Sequence, residues 1–225
     1  LLLVPTPQRT GMEYHEVGTR AGLIGRSLVD AKLARLNFGV FVLHFILMAS
    51  FLLVPGYLEQ SAGVDRAQHW MVYLPALLLS IVGMVPLMVL AERGGRPRQM
   101  FLLSIVLVCS AIAMLGFAVS SLVLYLGLWL FFVGFNYLEA SLPSLVSKVV
   151  FEGGKGTAMG VYSTCQFLGA FAGGAAGGWM LQHLGETVLI AVCLLLTISW
   201  WLVVLLASHP VGEPDELASG PLSEL

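Results

Sequence analysis

The sequence predicts an all-α integral membrane protein with six transmembrane helices, and three observations carry that expectation. Hydrophobic residues make up 58% of the 225 positions and charged ones 11%, and the mean hydropathy is +0.89, far outside the composition of soluble domains. Charge-free runs long enough to cross a bilayer, at about 20 residues each, lie at Leu36 to Leu58, Ala67 to Ala91, Gln99 to Leu138, Gly156 to Gly185 and Thr187 to Gly212. The third is about twice the length a span needs and must be divided. Finally, all but one of the 11 Lys and Arg residues fall in alternate connections.

Taken in order, Leu1 to Val4 is too short for a signal-peptide apolar region and lacks a basic flank; it reads as the end of a preceding span. Residues 5–35 read as a polar linker, with a possible amphipathic helix from Ala21 to Arg35 on which Leu23, Ile24, Leu28 and Leu33 fit one face imperfectly. The first span opens at Leu36 and is expected to close at Pro55-Gly56. An outer loop follows, leading to Trp70 and Tyr73 as interfacial anchors. The second span contains Pro75 and Pro86, which packing against neighbouring helices tolerates in lipid.

ERGGRPRQ, residues 92–99, is a tight turn made possible by its glycines, with arginines available to pair with Glu92 or with helix C-terminal carbonyls. Ser120-Ser121, after Gly116, is the natural place to divide the long run into spans near Met100 to Ala118 and Leu122 to Val146. The fifth span is built on glycine. Gly169, Gly173 and Gly177 recur every fourth residue and so share a face that lets a neighbouring helix approach closely. After the sixth span, residues 208–225 read as an acidic, disordered tail.

Arg9, Arg20, Arg26, Lys32 and Arg35, then Arg93, Arg96 and Arg98, then Lys148 and Lys155 mark three segments as cytoplasmic by the positive-inside rule; only Arg66 lies on the other side. Both ends are therefore expected inside.

Three polar positions within the spans bear on function: His44, the group Asn136, Tyr137 and Glu139, and Gln166 with Ser163 and Thr164. An ionisable side chain at membrane depth is costly, which makes Glu139 the leading candidate. His44 follows Leu36 by about the same interval as separates Glu139 from Ser147, which at ~1.5 Å per residue places both in one layer of the membrane. Desolvation disfavours a charged carboxyl and imidazole titrates near neutrality, so that layer is where a proton-responsive pair is expected. The bland alternatives are an interhelical bond holding a broken helix near Pro143 for Glu139, a packing histidine for His44, and helix glue for Gln166. For His44 the two readings weigh equally.

No cofactor or metal is called for: Cys109, Cys165 and Cys193 each sit inside an apolar run without ligand spacing and read as packing residues. GxSxG, HExxH and CxxC are absent, so no hydrolase or metalloprotease motif is present and no enzyme is expected. Basic residues confined to short connections leave no nucleic-acid footprint. If the buried polar groups serve only structure, the chain reads as a non-transporting six-span sensor or assembly partner.

AERGGR at 91–96 resembles the A-D-R-x-G-R core of the loop signature of the major facilitator superfamily, as it recurs between the eighth and ninth spans. Glu92 stands for the acid and is followed by Arg93, Gly95 and Arg96; the upstream Gly is replaced by Met88. NYLEASLPSLVSK followed by KGTAMGVYSTCQFLGAFAGGAAGGW is similar to the tenth and eleventh spans of the bacterial drug:proton antiporter branch, and LNFGVFVLHFILMASFLLVP to the seventh. The resemblance covers about residues 33–207.

It implies the C-terminal half of a twelve-helix fold, six spans arranged as 3+3 inverted repeats with sites near the midplane. It further implies residues 1–35 as the end of the preceding span and central linker, 36–207 as the half-bundle, and a missing N-terminal six-helix half as partner. Proton-coupled efflux of small, amphipathic molecules across the bacterial inner membrane is the implied activity. The seventh and tenth spans would line the central cavity, bringing His44 and Glu139 there with Gln166 close by.

Overall fold

The computed structural model describes residues 21–116, 120–151 and 153–207. The expected stub, the start of the linker and the acidic tail lie outside the described residues. Seven α-helices and one 3-10 turn make up the described chain: α1 (Ala21–Val29), α2 (Ala31–Ala62), a turn at Arg66–Gln68, α3 (Trp70–Glu92), α4 (Pro97–Gly116), α5 (Ser121–Val149), α6 (Lys155–His183) and α7 (Glu186–Leu205). The described chain contains no strand.

Five helical segments, 31–62, 66–92, 97–116, 121–149 and 186–205, are long and apolar enough to cross a membrane. The 29 residues of α6 have sufficient length, but its glycines, alanines and polar residues make it less apolar than the others. It nevertheless lies along α2, in the most extensive helix pairing of the molecule, and also packs on α1, α5 and α7.

Three boundaries differ from expectation. The amphipathic segment is interrupted at Asp30, whose carboxylate accepts from the backbone N–H groups of Lys32 and Leu33 at 2.9 and 3.0 Å. An N-cap side chain satisfies donors that have no intrahelical partner, so a second helix starts there and α2 begins before Leu36. At its other end α2 continues through Pro55 and stops at Gly63, which has φ 64. Pro55 costs one backbone bond without ending a helix held by its neighbours. α5 likewise continues through Pro143. Between α4 and α5 the division falls where expected, with Ser120 accepting from Val123 N–H as the cap of α5.

The core is shared by α2, α4, α5 and α7, where Val40, Leu43, Ile46, Ile105, Leu138 and Leu189 are among the buried side chains. Lipid supplies no hydrophobic drive between helices, so close packing must hold them together. Gly169 and Gly173 provide it: a Cβ on either would collide with the backbone of Phe41 or Phe45 of α2, while Gly177 faces Leu52 and Ala49. In contrast, most of α3 is apolar and exposed, with only Ser80, Leu87 and Ala91 buried.

Side-chain bonds sort the helix ends into two groups. Arg98, at the start of α4, donates through Nη2 to the carbonyls of Leu205 at 2.8 Å and of Ala207 and Val204 at 3.4 and 3.5 Å, in and just after the last turn of α7. At that same end the Arg26 guanidinium stacks 4.2 Å over Phe151, seating α1 on the α5–α6 connection. At the other end Tyr57 donates to Glu186 at 3.2 Å, Ser121 donates to the Ser61 carbonyl at 3.1 Å, and Arg66 pairs with Glu59.

Candidate functional site

Helices α2, α5 and α6 converge on three polar side chains, His44, Glu139 and Gln166. The buried backbone of α2 supplies the first constraint. Nδ1 of His44 donates to the Val40 carbonyl one turn earlier, at 3.1 Å. Because a carbonyl can only accept, the proton of the neutral ring sits on Nδ1 and the Nε2 lone pair is left facing the site. Phe135 of α5 meets the ring edge-on with centroids 5.8 Å apart.

Gln166 fills the space opposite. Its amide nitrogen donates to His44 Nε2 at 2.9 Å and to Glu139 Oε1 at 3.1 Å, using both hydrogens. Glu139 Oε2 lies 3.6 Å from His44 Nε2 and, although buried, has no hydrogen-bond partner. The Glu139 side chain is 35% exposed against 10% for His44, while its Oε2 is itself buried. Three helices are thereby tied through one amide to a carboxyl with an unused oxygen.

Tyr162 belongs to this group and was not anticipated. It precedes Gln166 by one helical turn on α6, is buried, and lies close enough to interact electrostatically with Glu139. Its hydroxyl has no hydrogen-bond partner. The sequence signal was the spacing, since residues four apart on a helix share a face.

The other expected positions are arranged differently. Asn136 turns to α3, donating through Nδ2 to Ser80 Oγ at 2.8 Å, and Ser80 in turn donates to the Leu77 carbonyl at 2.6 Å. Tyr137 is buried beside Ser141 and within electrostatic reach of Glu92. Neither bonds to Glu139. Thr164 donates back to the Gly160 carbonyl on the exposed surface of α6. Glu92, Arg93, Gly95 and Arg96 are exposed in the α3–α4 turn, where Gly95 has φ 62, a backbone conformation that side chains with a Cβ rarely adopt. No ion pair joins Glu92 to either arginine in this arrangement. It is Arg98, two residues further on, that makes the long-range bonds of this connection.

Among the described residues no group of three or more His, Cys, Asp and Glu side chains is placed to hold a metal ion. The three cysteines are unpaired. The group thus presents one carboxyl oxygen without a partner, at Glu139 Oε2, beside a His44 Nε2 lone pair already engaged by Gln166.

Comparison with known proteins places this geometry in a family context. Residues 36–224 match the model of the Major Facilitator Superfamily. The chain is 41% identical over 206 residues to the inner membrane transport protein YajR of Escherichia coli, covering 91% of this chain and 44% of that protein. It is 31% identical over 185 residues to an uncharacterized transporter of Buchnera aphidicola, with coverage of 80% and 46%. Identity is 26% over 159 residues to the multidrug resistance protein MdtH of Aeromonas hydrophila, with coverage of 71% and 40%. The chain thus spans about half the length of the curated relatives it matches.

Proposed function

This chain belongs to the major facilitator superfamily, and on that premise we propose that it forms the C-terminal half of a proton-coupled transporter that expels small molecules across the bacterial inner membrane. The observation that carries the reading is the orphaned, buried Oε2 of Glu139 beside His44 Nε2. A carboxyl held in an apolar helix with an unused oxygen can take a proton without forfeiting its existing bonds. That is the property a carrier needs, since it must be occupied on the acidic side and emptied on the other.

The 3+3 arrangement is supported by which helices meet. Exchanging α2, α3 and α4 with α5, α6 and α7 carries the α2–α6 pairing onto α3–α5, α4–α5 onto α2–α7, and α3–α4 onto α6–α7, while α2–α5 and α4–α7 map onto themselves. All of these pairings occur among the described residues, although α2–α6 and α4–α5 are much more extensive than α3–α5 and α2–α7, and α5–α6 has no comparable counterpart. Under this reading the site lies where the two repeats meet at the midplane. The exposed outer faces of α3 and α6 are surface available to lipid and to the N-terminal half.

The end at which α1, the α3–α4 turn, the α5–α6 connection and the end of α7 gather carries the basic residues, and it faces the cytoplasm under the positive-inside rule. Glu92 and Arg96 there belong to a latch whose pairing changes between inward-open and outward-open forms. The drug:proton branch, the linker assigned to residues 1–35 and the partner half are parts of the same reading.

The test is transport by the complete protein reconstituted in vesicles, with an amphipathic fluorescent dye as substrate. The reading requires dye movement that depends on an imposed proton gradient. Movement unaffected by collapsing the gradient would remove proton coupling from the account.

A further inference from the structure

We infer that Gln166 is a positioning residue that assigns the mobile proton to Glu139 and holds His44 neutral. The inference rests on the reading of Glu139 as the proton carrier and deepens it. Its basis is the polarity of the hydrogen bonds. His44 already uses Nδ1–H on the Val40 carbonyl, and its Nε2 lone pair accepts from Gln166 at 2.9 Å. A proton arriving at Nε2 would set an N–H donor against the amide N–H, and that bond would be lost.

A half-turn of the amide does not remove the conflict. The Gln166 oxygen would then accept from His44, but it would stand where the amide nitrogen now donates to Glu139 Oε1 at 3.1 Å. Two acceptor oxygens would face each other unless Glu139 itself carried a proton. A proton on Glu139 Oε2, by contrast, disturbs nothing: Oε1 continues to accept from Gln166, and Oε2, buried without a partner, gains its first hydrogen. The amide thus separates two bases that lie 3.6 Å apart and makes them inequivalent.

Few other groups act on this arrangement. Tyr162 of α6 interacts electrostatically with Glu139, and its buried hydroxyl has no hydrogen-bond partner. Arg98 of α4 binds the end of α7, Glu186 of α7 binds Tyr57 at the opposite end, Glu92 of α3 lies near Tyr137, and Arg26 of α1 stacks on Phe151.

The experiment uses the complete protein with nitrogen-15-labelled histidine. Nuclear magnetic resonance reads the state of the His44 ring, assigned by its loss in His44→Gln, and infrared difference spectroscopy reads the carboxylic acid band lost in Glu139→Gln. On acidification the wild type is expected to gain the Glu139 acid band while the His44 ring keeps its neutral, Nδ1-protonated resonances. In Gln166→Met, close in volume but without donors, imidazolium resonances are expected to appear in the same acid step, with loss of part of the Glu139 band. Imidazolium at His44 in the acidified wild type, or the same protonation order in Gln166→Met, would overturn the assignment. The wild-type measurement decides the matter even if Gln166→Met fails to fold. Failure here leaves proton coupling through Glu139 standing, because gradient-driven transport tests that separately.

Discussion

Oε2 of Glu139 lies 3.6 Å from Nε2 of His44, and the two side chains are joined through the amide of Gln166 rather than directly. Helices α5 and α2 are thus linked by a donor borrowed from α6. Changes at any of the three positions should therefore act on the other two.

At His44 the sequence fits packing and function equally, and the bond to Gln166 makes the choice testable. His44→Gln keeps an acceptor for Gln166, so gradient-driven transport is expected to persist. His44→Leu removes the acceptor, and a buried donor left unpaired costs about 1–3 kcal/mol. Thermal unfolding and transport of the two variants, compared in the complete protein, check this; equal behaviour would mean that the bond carries no weight.

The glycine face makes a position-specific prediction. Gly173→Leu should push α6 off α2, because even the Cβ collides with the Phe45 backbone; overpacking of a tight contact costs about 1–3 kcal/mol and backbone cannot give way as a side chain can. Gly174→Leu, one residue away with open space around its Cα, should fold like the wild type. Equal thermal stabilities of the two variants would contradict the packing described.

Arg98 and Arg96 should separate by readout. Arg98→Ala removes a cation and its bonds from the carbonyl end of α7, a contribution of about 0.3–1 kcal/mol at a helix terminus, and should lower the melting temperature. Arg96 is exposed, and Arg96→Ala is expected to change the balance of inward and outward accessibility while leaving stability alone. Melting curves with labelling of cavity cysteines distinguish these outcomes, and a destabilised Arg96→Ala with an unaffected Arg98→Ala would reverse the assignment.

These residues also mark how far the sequence could be read. Helix number and most boundaries follow from apolar runs and from one serine cap, because both are local. Asp30 was legible as a cap only in hindsight, since the pattern from Ala21 to Arg35 also fits one helix. Pro55 misled because its local cost is recovered from neighbouring helices that the sequence does not place. Which arginine of RGGRPR reaches another helix was unreadable, as all three are equivalent until α7 is set beside α4. The layer shared by His44 and Glu139 followed from counting residues, whereas the turning of Asn136 toward Ser80 depends on helix rotation, which counting does not fix.

Orientation can be tested apart from chemistry. Single cysteines replacing Arg93 and Ala67, both exposed at opposite ends of α3, should react differently with a probe that cannot cross the membrane. In intact cells Ala67→Cys is expected to label and Arg93→Cys to be protected. The reverse pattern would invert the bundle.

The most direct measurement is gradient-driven dye transport by Glu139→Gln in the complete protein, at wild-type expression and with dye binding measured alongside. Glutamine keeps the size of the side chain and can still accept from Gln166, but it cannot carry a proton. The account predicts a folded protein that binds dye and has lost gradient-driven transport. Wild-type gradient-driven transport by this variant would contradict it and leave Glu139 as a structural residue.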